Sequence, residues 1–490
     1  MPKNRRLPIS MAAVIFVLAV LVNSTSSPGA AILASNGLAT SPDYFPIAVW
    51  LQSPSNATAY KAAGINLYIG LYNGPVQADL DQLKTASMPA LCDQNALALA
   101  NRTAYGTILA GWTQMDEPDN AQDNGAGGYN PCISPDTLVK RYNTMKQADS
   151  TRPVFLNLGQ AVAYTGWIGR GTCTGKTDMY PLYLRGCDIA SFDIYPVNST
   201  DAPVAGNLWY VAKGVDSLRM WCGDKKPVWA WIECTSINGG TKPTPAQVKA
   251  EVWMALIHGA RGFGYFCHSF SPVFKEAAWL SDATMKPAIT AINQRVTTLA
   301  AVLNGPTVSG LATVASSNKA VPVDIMVKTP AGAQYVFAVA MRGDTTTARV
   351  TVAGLTGQDS AEVLDENRVL PVVNGTFTDH FAAYGVHLYR INRPANGSRS
   401  LRPALRHSAG PLDDVRLRQW GRAVIISRDV ASLSTMVACR LISCSGRRFE
   451  SFSLVPGERV EFQTDKLPAG LYTLLVSAGA VNGAKQIVIQ

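Results

Sequence analysis

Residues 107–120 read Thr107-Ile108-Leu109-Ala110-Gly111-Trp112-Thr113-Gln114-Met115-Asp116-Glu117-Pro118-Asp119-Asn120. A short apolar run with strand character opens the stretch, three carboxylates follow within four positions, and a proline interrupts them. Proline has no N–H to give to a strand ladder, so the strand must end here. The carboxylates therefore stand where a strand gives way to a loop. In a barrel of alternating strands and helices, that is the end that carries chemistry.

The same grammar repeats on both sides. Apolar, β-rich runs at 45–51, 65–71 and 88–92 precede the stretch, and others at 154–158, 188–196, 227–233 and 262–268 follow it. Helical patterns lie between or after them at 54–63, 75–86, 96–105, 135–149, 207–222, 245–259 and 287–303. Thr244-Pro245 opens one of these helices with a capping residue and a proline in the first turn. Two insertions rich in glycine, 121–134 and 163–180, interrupt the pattern. Eight strand-then-helix units predict a (β/α)8 barrel over 40–305. A doubly wound open sheet would be expected to carry a glycine-rich phosphate loop after its first strand, and none is present.

Beyond the barrel the pattern shortens to alternating strands and turns. Residues 306–393 predict a small antiparallel β-domain, as in Tyr335-Val336-Phe337-Ala338-Val339-Ala340. Residues 394–411 are rich in Arg, Pro, Ser and Gly and read as a linker. Residues 412–490 are strand-rich again and predict a C-terminal β-sandwich, an accessory or sorting domain. The fold class is thus α/β, a barrel followed by two small antiparallel β-domains.

Composition fits a globular protein, 47% hydrophobic and 16% charged. Of the net charge of +9, residues 391–490 carry +7 and the first ten residues +3, which leaves the body near neutral. A nucleic-acid partner would need a basic face on the functional domain, and the body supplies none. The arginine excess of the C-terminal region would suit an acidic cell surface or polysaccharide, though a solvated basic face needs no partner. Residues 1–30 read as an export signal: Lys3, Arg5 and Arg6, then the apolar run Met11–Val22, then small residues before a plausible cleavage point at Ala30-Ala31. An uncleaved anchor is the alternative. Either way the expected location is secreted, periplasmic or cell-surface.

Nine cysteines fit that setting. Cys132, Cys173 and Cys187 lie in or near the insertions, where a cross-link would limit loop freedom, and Cys439 and Cys444 could bracket a hairpin. Nine is odd, so at least one thiol, such as Cys234 or Cys267, is left over. No Cys-x-x-Cys pair or histidine cluster suggests zinc. No metal and no organic cofactor is called for. Asn56, Asn198 and Asn374 stand in glycosylation sequons.

Period-2 alternation assigns faces. Gly111, Thr113, Met115 and Glu117 share one, Trp229, Trp231 and Glu233 another, and Ser191, Asp193 and Tyr195 a third. If these faces point into the barrel, Glu117 and Glu233 converge at its C-terminal mouth. A lone buried charge costs several kcal/mol, whereas two facing carboxyls, one neutral and one ionised, can cleave a glycosidic bond.

A Glu-Pro pair ending the fourth strand and a Glu ending the seventh resemble the retaining glycoside hydrolases of the clan GH-A type, over about residues 45–304. The resemblance implies that Glu117 is the acid/base and Glu233 the nucleophile, with Tyr195 steadying the nucleophile. That superfamily usually has Asn before the acid/base, where it holds the sugar's 2-hydroxyl; here the residue is Asp116. Asp accepts a hydrogen bond from a hydroxyl but cannot donate one, and a second carboxylate raises its neighbour's pKa. Trp50, Tyr72, Trp112, Tyr195 and Trp231 lie at or near strand ends and offer faces on which sugar rings stack, although any of them could equally be core. Asp93, Asn157 and His268 end three further strands and complete the candidate substrate contacts. Asp119 reads as a cap or turn residue.

The expectation is an exported enzyme that cleaves β-glycosidic bonds of oligo- or polysaccharide by double displacement. A transglycosylase on the same residues, a catalytically silent glycan-binding protein and a structural exoprotein led by its β-domains are the alternatives.

Overall fold

The structure, a computed structural model, describes residues 37–38, 41–237, 241–330 and 332–392, and seven strands between Val415 and Ile489. The signal segment 1–30, the linker 394–411 and Cys444 lie outside the described residues. The chain divides into two compact units, Met1–Gly397 and Ser398–Gln490.

Eight parallel strands close the first unit's barrel: Ile47–Trp50, Leu67–Ile69, Ala90–Cys92, Leu109–Thr113, Val154–Leu158, Ile189–Asp193, Val228–Glu233 and Gly262–Phe266. Each is hydrogen-bonded to its sequence neighbours, and the eighth pairs with the first through Ile47 opposite Phe263. The alternating residues separate as pleating requires. Leu91, Phe155, Ile189, Trp229 and Trp231 fill the interior. Val154, Leu156, Val228, Ala230 and Ile232 face the surrounding helices. Glycines make room for the interior tryptophans: a Cβ at Gly264 would lie 2.2 Å from the Trp231 ring.

Most of the predicted helices appear with trimmed ends. Pro245–Ile257 begins with a capping box: Thr244 Oγ1 accepts the Gln247 N–H at 3.3 Å and Gln247 Oε1 accepts the Thr244 N–H at 2.8 Å. The 96–105 segment is helical only over Ala96–Ala100. Between strands five and six there is no single helix but a series of short turns, from Gln160 to Gly186. A disulfide, Cys132–Cys173, ties this region to the earlier insertion, while Cys187 is buried as a free thiol.

Eight antiparallel strands between Ala312 and Asn392 form one sheet. The strands at the two ends of its order, Ala312–Ser316 and Val323–Lys328, approach each other, so the sheet curls around its own core of Val336, Val350, Phe377 and Tyr389. Its other face continues the barrel's core. Phe337, Val339 and Leu388 belong to that cluster, and the Phe337 ring lies 5.3 Å from Trp253 on the helix Pro245–Ile257.

The second unit consists of a three-stranded and a four-stranded antiparallel sheet. Most of its side chains lie outside the described residues, and with them the expected basic contact surface. Among the described residues no helix is long and apolar enough to cross a membrane.

Candidate active site

The opening stretch turns sharply where the fourth strand ends. Glu117 has φ +39°, a left-handed conformation that is uncommon for a residue with a side chain. Two bonds hold it: its N–H donates to the Asn157 carbonyl at 3.1 Å, and its carbonyl accepts the Asn120 N–H at 3.0 Å. The second closes a turn with Pro118 in its second position, where a fixed φ is an advantage. Strain of this kind persists only where surrounding structure over-determines it, and it clusters at working sites.

The turn delivers Asp116 and Glu117 to the floor of a cleft of about 350 Å³ at the barrel mouth. Asn157 and Asp193 from strands five and six lie beside them. Trp50, Tyr195, Trp231 and Phe266 form one wall, and Trp167, Gln160 and Asn120 another. Asn157 organises the carboxylates. Its amide nitrogen donates to Asp116 Oδ1 at 3.0 Å and to Asp193 Oδ2 at 3.3 Å. Its Oδ1 accepts the Ser191 hydroxyl at 2.8 Å, which fixes which way the amide points.

Three carboxyls so close cannot all ionise cheaply. Burial, then Asp116 and Asp119, push Glu117 up to about 7, against hydrogen bonds from Asp193 and Asn120. Asp193 is raised well above the carboxylate range, first by burial and then by the charges of Glu117 and Asp116. Asp116 rises to about 6 although it is open to solvent: water reaches it along the cleft while protein surrounds it on the other sides.

Gly159 gives the carboxylates their space. A Cβ there would lie 2.8 Å from Asn120 Nδ2 and 3.0 Å from Glu117 Oε1. Asp119 is a turn residue, as expected, in the third position of the turn from Glu117 to Asn120. Fully buried, it accepts the Gly159 N–H and the Tyr180 hydroxyl, both at 2.9 Å, and pins the insertion beneath the site.

The structure does not bring Glu233 into this cleft. It is fully buried, and its oxygens accept the Val197 N–H at 2.6 Å, the Asn198 N–H at 2.9 Å and the Asn198 side-chain amide at 2.6 Å. Glu251, from the helix Pro245–Ile257, lies beside it with neither side-chain oxygen hydrogen-bonded among the described residues; burial, then the Glu233 charge, raise Glu251 well above the usual range, so Glu251 is the neutral member of the pair. The loop after strand six covers Glu233 and uses its charge for anchorage.

Other expected contacts also fall elsewhere. Trp112 is fully buried on the helix-facing side, its indole N–H on Asp149 Oδ2 at 3.2 Å, because alternation places it opposite Gly111 and Thr113. Asp93 accepts the Thr113 hydroxyl at 3.0 Å at the barrel rim and does not line the cleft. Tyr72 and His268 form a separate pair, the Tyr72 hydroxyl 2.5 Å from His268 Nε2. Trp50, Asp116, Glu117, Asn157, Tyr195 and Trp231 do line the cleft. Asp193, Trp167, Gln160 and Phe266 join them without having been singled out. Asp193 was within reach, since it shares a face with Tyr195 at a strand end.

No family model and no curated protein matches the chain. Among solved structures it is similar to a GH30 endoxylanase from Clostridium papyrosolvens C71, with 10% identity, TM-score 0.41, and 71% of this chain and 96% of that one covered. It is also similar to a family 39 glycoside hydrolase from Bacteroides cellulosilyticus WH2, with 13% identity, TM-score 0.42 and coverage of 72% and 82%. A third is a putative alpha-galactosidase from Bacteroides fragilis NCTC 9343, with 12% identity, TM-score 0.43 and coverage of 72% and 80%. These likenesses are too loose to place the chain in any of those families.

Proposed function

We propose that the protein is an exported glycoside hydrolase whose proton donor is Glu117. One observation carries the reading: Glu117 sits on the floor of an aromatic-walled cleft with its carboxyl pushed up to about 7. At pH 6 an acid of that pKa is mostly protonated, whereas one at the ordinary 4.5 is almost wholly ionised. A protonated carboxylic acid beside ionisable neighbours is what departure of a sugar's leaving oxygen requires.

The neighbours divide the remaining work. Asp193, raised well above the carboxylate range chiefly by burial, stands neutral beside Glu117. Asp116 is the more exposed of the two, lines the cleft and is oriented by Asn157. It is the anion placed to stabilise or capture the cationic anomeric carbon. We take retention of configuration as the outcome, with Asp116 in the nucleophile's place that Glu233 does not reach. The Trp231 indole N–H is closed off from the cleft and has no partner among the described residues, so Trp231 offers the cleft its ring rather than its donor. Export is supported by the signal-like N-terminus and by the Cys132–Cys173 disulfide, a bond rare in reducing compartments.

The test is hydrolysis of a panel of aryl β-glycosides by the wild type, with product stereochemistry followed by NMR. Turnover with retention supports the reading. Turnover with inversion removes Asp116 as nucleophile, and a fully silent panel counts against glycoside hydrolysis itself.

A further inference from the structure

One wall of the cleft does not stop at its rim. Phe266, which lines the cleft beside Tyr195 with 5.3 Å between ring centroids, is followed outward by Phe270 at 6.3 Å and Phe274 at a further 5.5 Å. Phe270 is 51% exposed and Phe274 54% exposed. Both rings lie nearly parallel to the buried His268 ring, at 23° and 21°. Tyr72, also 54% exposed, stands edge-on to the other side of that ring and is hydrogen-bonded to it. The histidine is thus the hidden support of three exposed aromatic residues.

The loop carrying Phe270 and Phe274 is fixed at both ends. Ser269 and Lys275 exchange backbone hydrogen bonds at 2.9 and 2.8 Å, and the Phe270 N–H donates to the Ser236 carbonyl at 3.0 Å. The Ser269 hydroxyl donates to the Ser236 and Ser271 carbonyls, both at 3.1 Å. Exposed phenylalanines on a braced loop are costly to leave in water unless a ligand covers them. Burial also holds the His268 imidazole below its ordinary pKa, which suits a structural spacer rather than a charged contact.

We propose that Tyr72, Phe270 and Phe274 form an outer binding platform for a polymeric glycan whose scissile bond lies in the cleft. The proposal rests on the glycoside hydrolase reading above and adds to it a substrate of several sugar units. Continuity with the cleft selects this occupant. Centroid spacings of 6.3 and 5.5 Å link Phe266 through Phe270 to Phe274 without a gap, and aromatic faces stack on the apolar faces of pyranoses. A small glycoside that fills only the cleft would leave the platform bare.

The experiment is affinity electrophoresis of the full-length protein in native gels containing soluble xylan, mixed-linkage β-glucan, galactan or chitosan. All forms carry Glu117→Gln so that the polymer is not degraded. The Glu117→Gln protein should be retarded by at least one polymer. Adding Phe270→Ala and Phe274→Ala should raise the apparent dissociation constant for that polymer by tenfold or more, while Phe270→Tyr with Phe274→Tyr should keep the retardation. Thermal melts confirm that each form is folded. Equal retardation of the alanine and parent forms overturns the platform. So does an absence of retardation by every polymer. Aryl glycoside turnover by the same protein with Glu117 restored separates that failure from a failure of the hydrolase reading. Loss of retardation in the tyrosine form as well would also overturn it, since stacking faces would then not be the binding element.

Discussion

Glu233→Gln distinguishes an anchor from a nucleophile. In the structure Glu233 Oε1 accepts the Val197 N–H, and Oε2 accepts both N–H groups of Asn198. Glutamine can keep its oxygen at the Oε2 position and retain two of these bonds. Its NH2 then faces the Val197 N–H, donor against donor. Leaving one buried donor unsatisfied costs about 1–3 kcal/mol. The new amide can recover part of this by donating to Glu251, whose side-chain oxygens have no hydrogen-bond partner among the described residues. We expect destabilisation of about 2 kcal/mol, read as a melting temperature lowered by a few degrees. Aryl glycoside turnover at a temperature where both proteins are folded should stay within about tenfold, the change coming through the loop that carries Tyr195. The assay pairs a thermal melt with initial rates on one preparation. A rate lowered a thousandfold or more at an unchanged melting temperature would refute the anchor assignment and restore Glu233 as the nucleophile.

Gly159→Ala should press on Asn120 and the Glu117 carboxyl, the two groups within 3.0 Å of the new Cβ; overpacking of this kind costs about 1–3 kcal/mol, and a misplaced donor should lower kcat by about a hundredfold. Asp116→Asn removes a charge that raises Glu117. The donor must be protonated, so activity falls as pH rises through the Glu117 pKa of about 7; in this variant that alkaline limb should move to lower pH in whatever activity remains, by less than burial contributes, because burial is the larger cause. Replacing both Cys132 and Cys173 by Ala opens a loop of 41 residues, and the chain-entropy relation gives a loss of about 4 kcal/mol. That loss is to be checked by chemical unfolding under non-reducing conditions.

The barrel was legible because its signals are local. A proline ends the reading stretch, a second proline follows Tyr195, and alternation sorts Phe155, Trp229 and Trp231 to the interior. The same rule already placed Trp112 on the outer side, against Asp149, and the lure of an aromatic near a strand end obscured it. Glu233 shows where alternation stops being sufficient. A strand's last residue leaves the pleat, and its direction is set by whichever donors reach it. Here the donors come from residues 197–198 and the neutral carboxyl from Glu251, neither of which has any local sequence tie to Glu233. Trp167 and Gln160 were hidden for a related reason. Trp167 belongs to an insertion without periodicity and Gln160 to the turn that leads into it, a region held in place by a disulfide and by the buried Asp119. The sheet over 306–393 read as a domain of its own, yet Phe337 and Leu388 share the barrel's core, a contact that strand patterning does not encode.

The central claim is that Glu117 donates the proton to the leaving oxygen. The direct measurement compares wild type and Glu117→Gln on aryl β-glycosides that differ only in leaving-group acidity. A poor leaving group needs the proton, so the variant should lose about 10²- to 10⁴-fold there. A dinitrophenolate leaves without help, so on that glycoside the loss should shrink to a small factor. Equal rates for the two proteins on the poor leaving group would contradict the claim, as would a loss of the same size on every substrate.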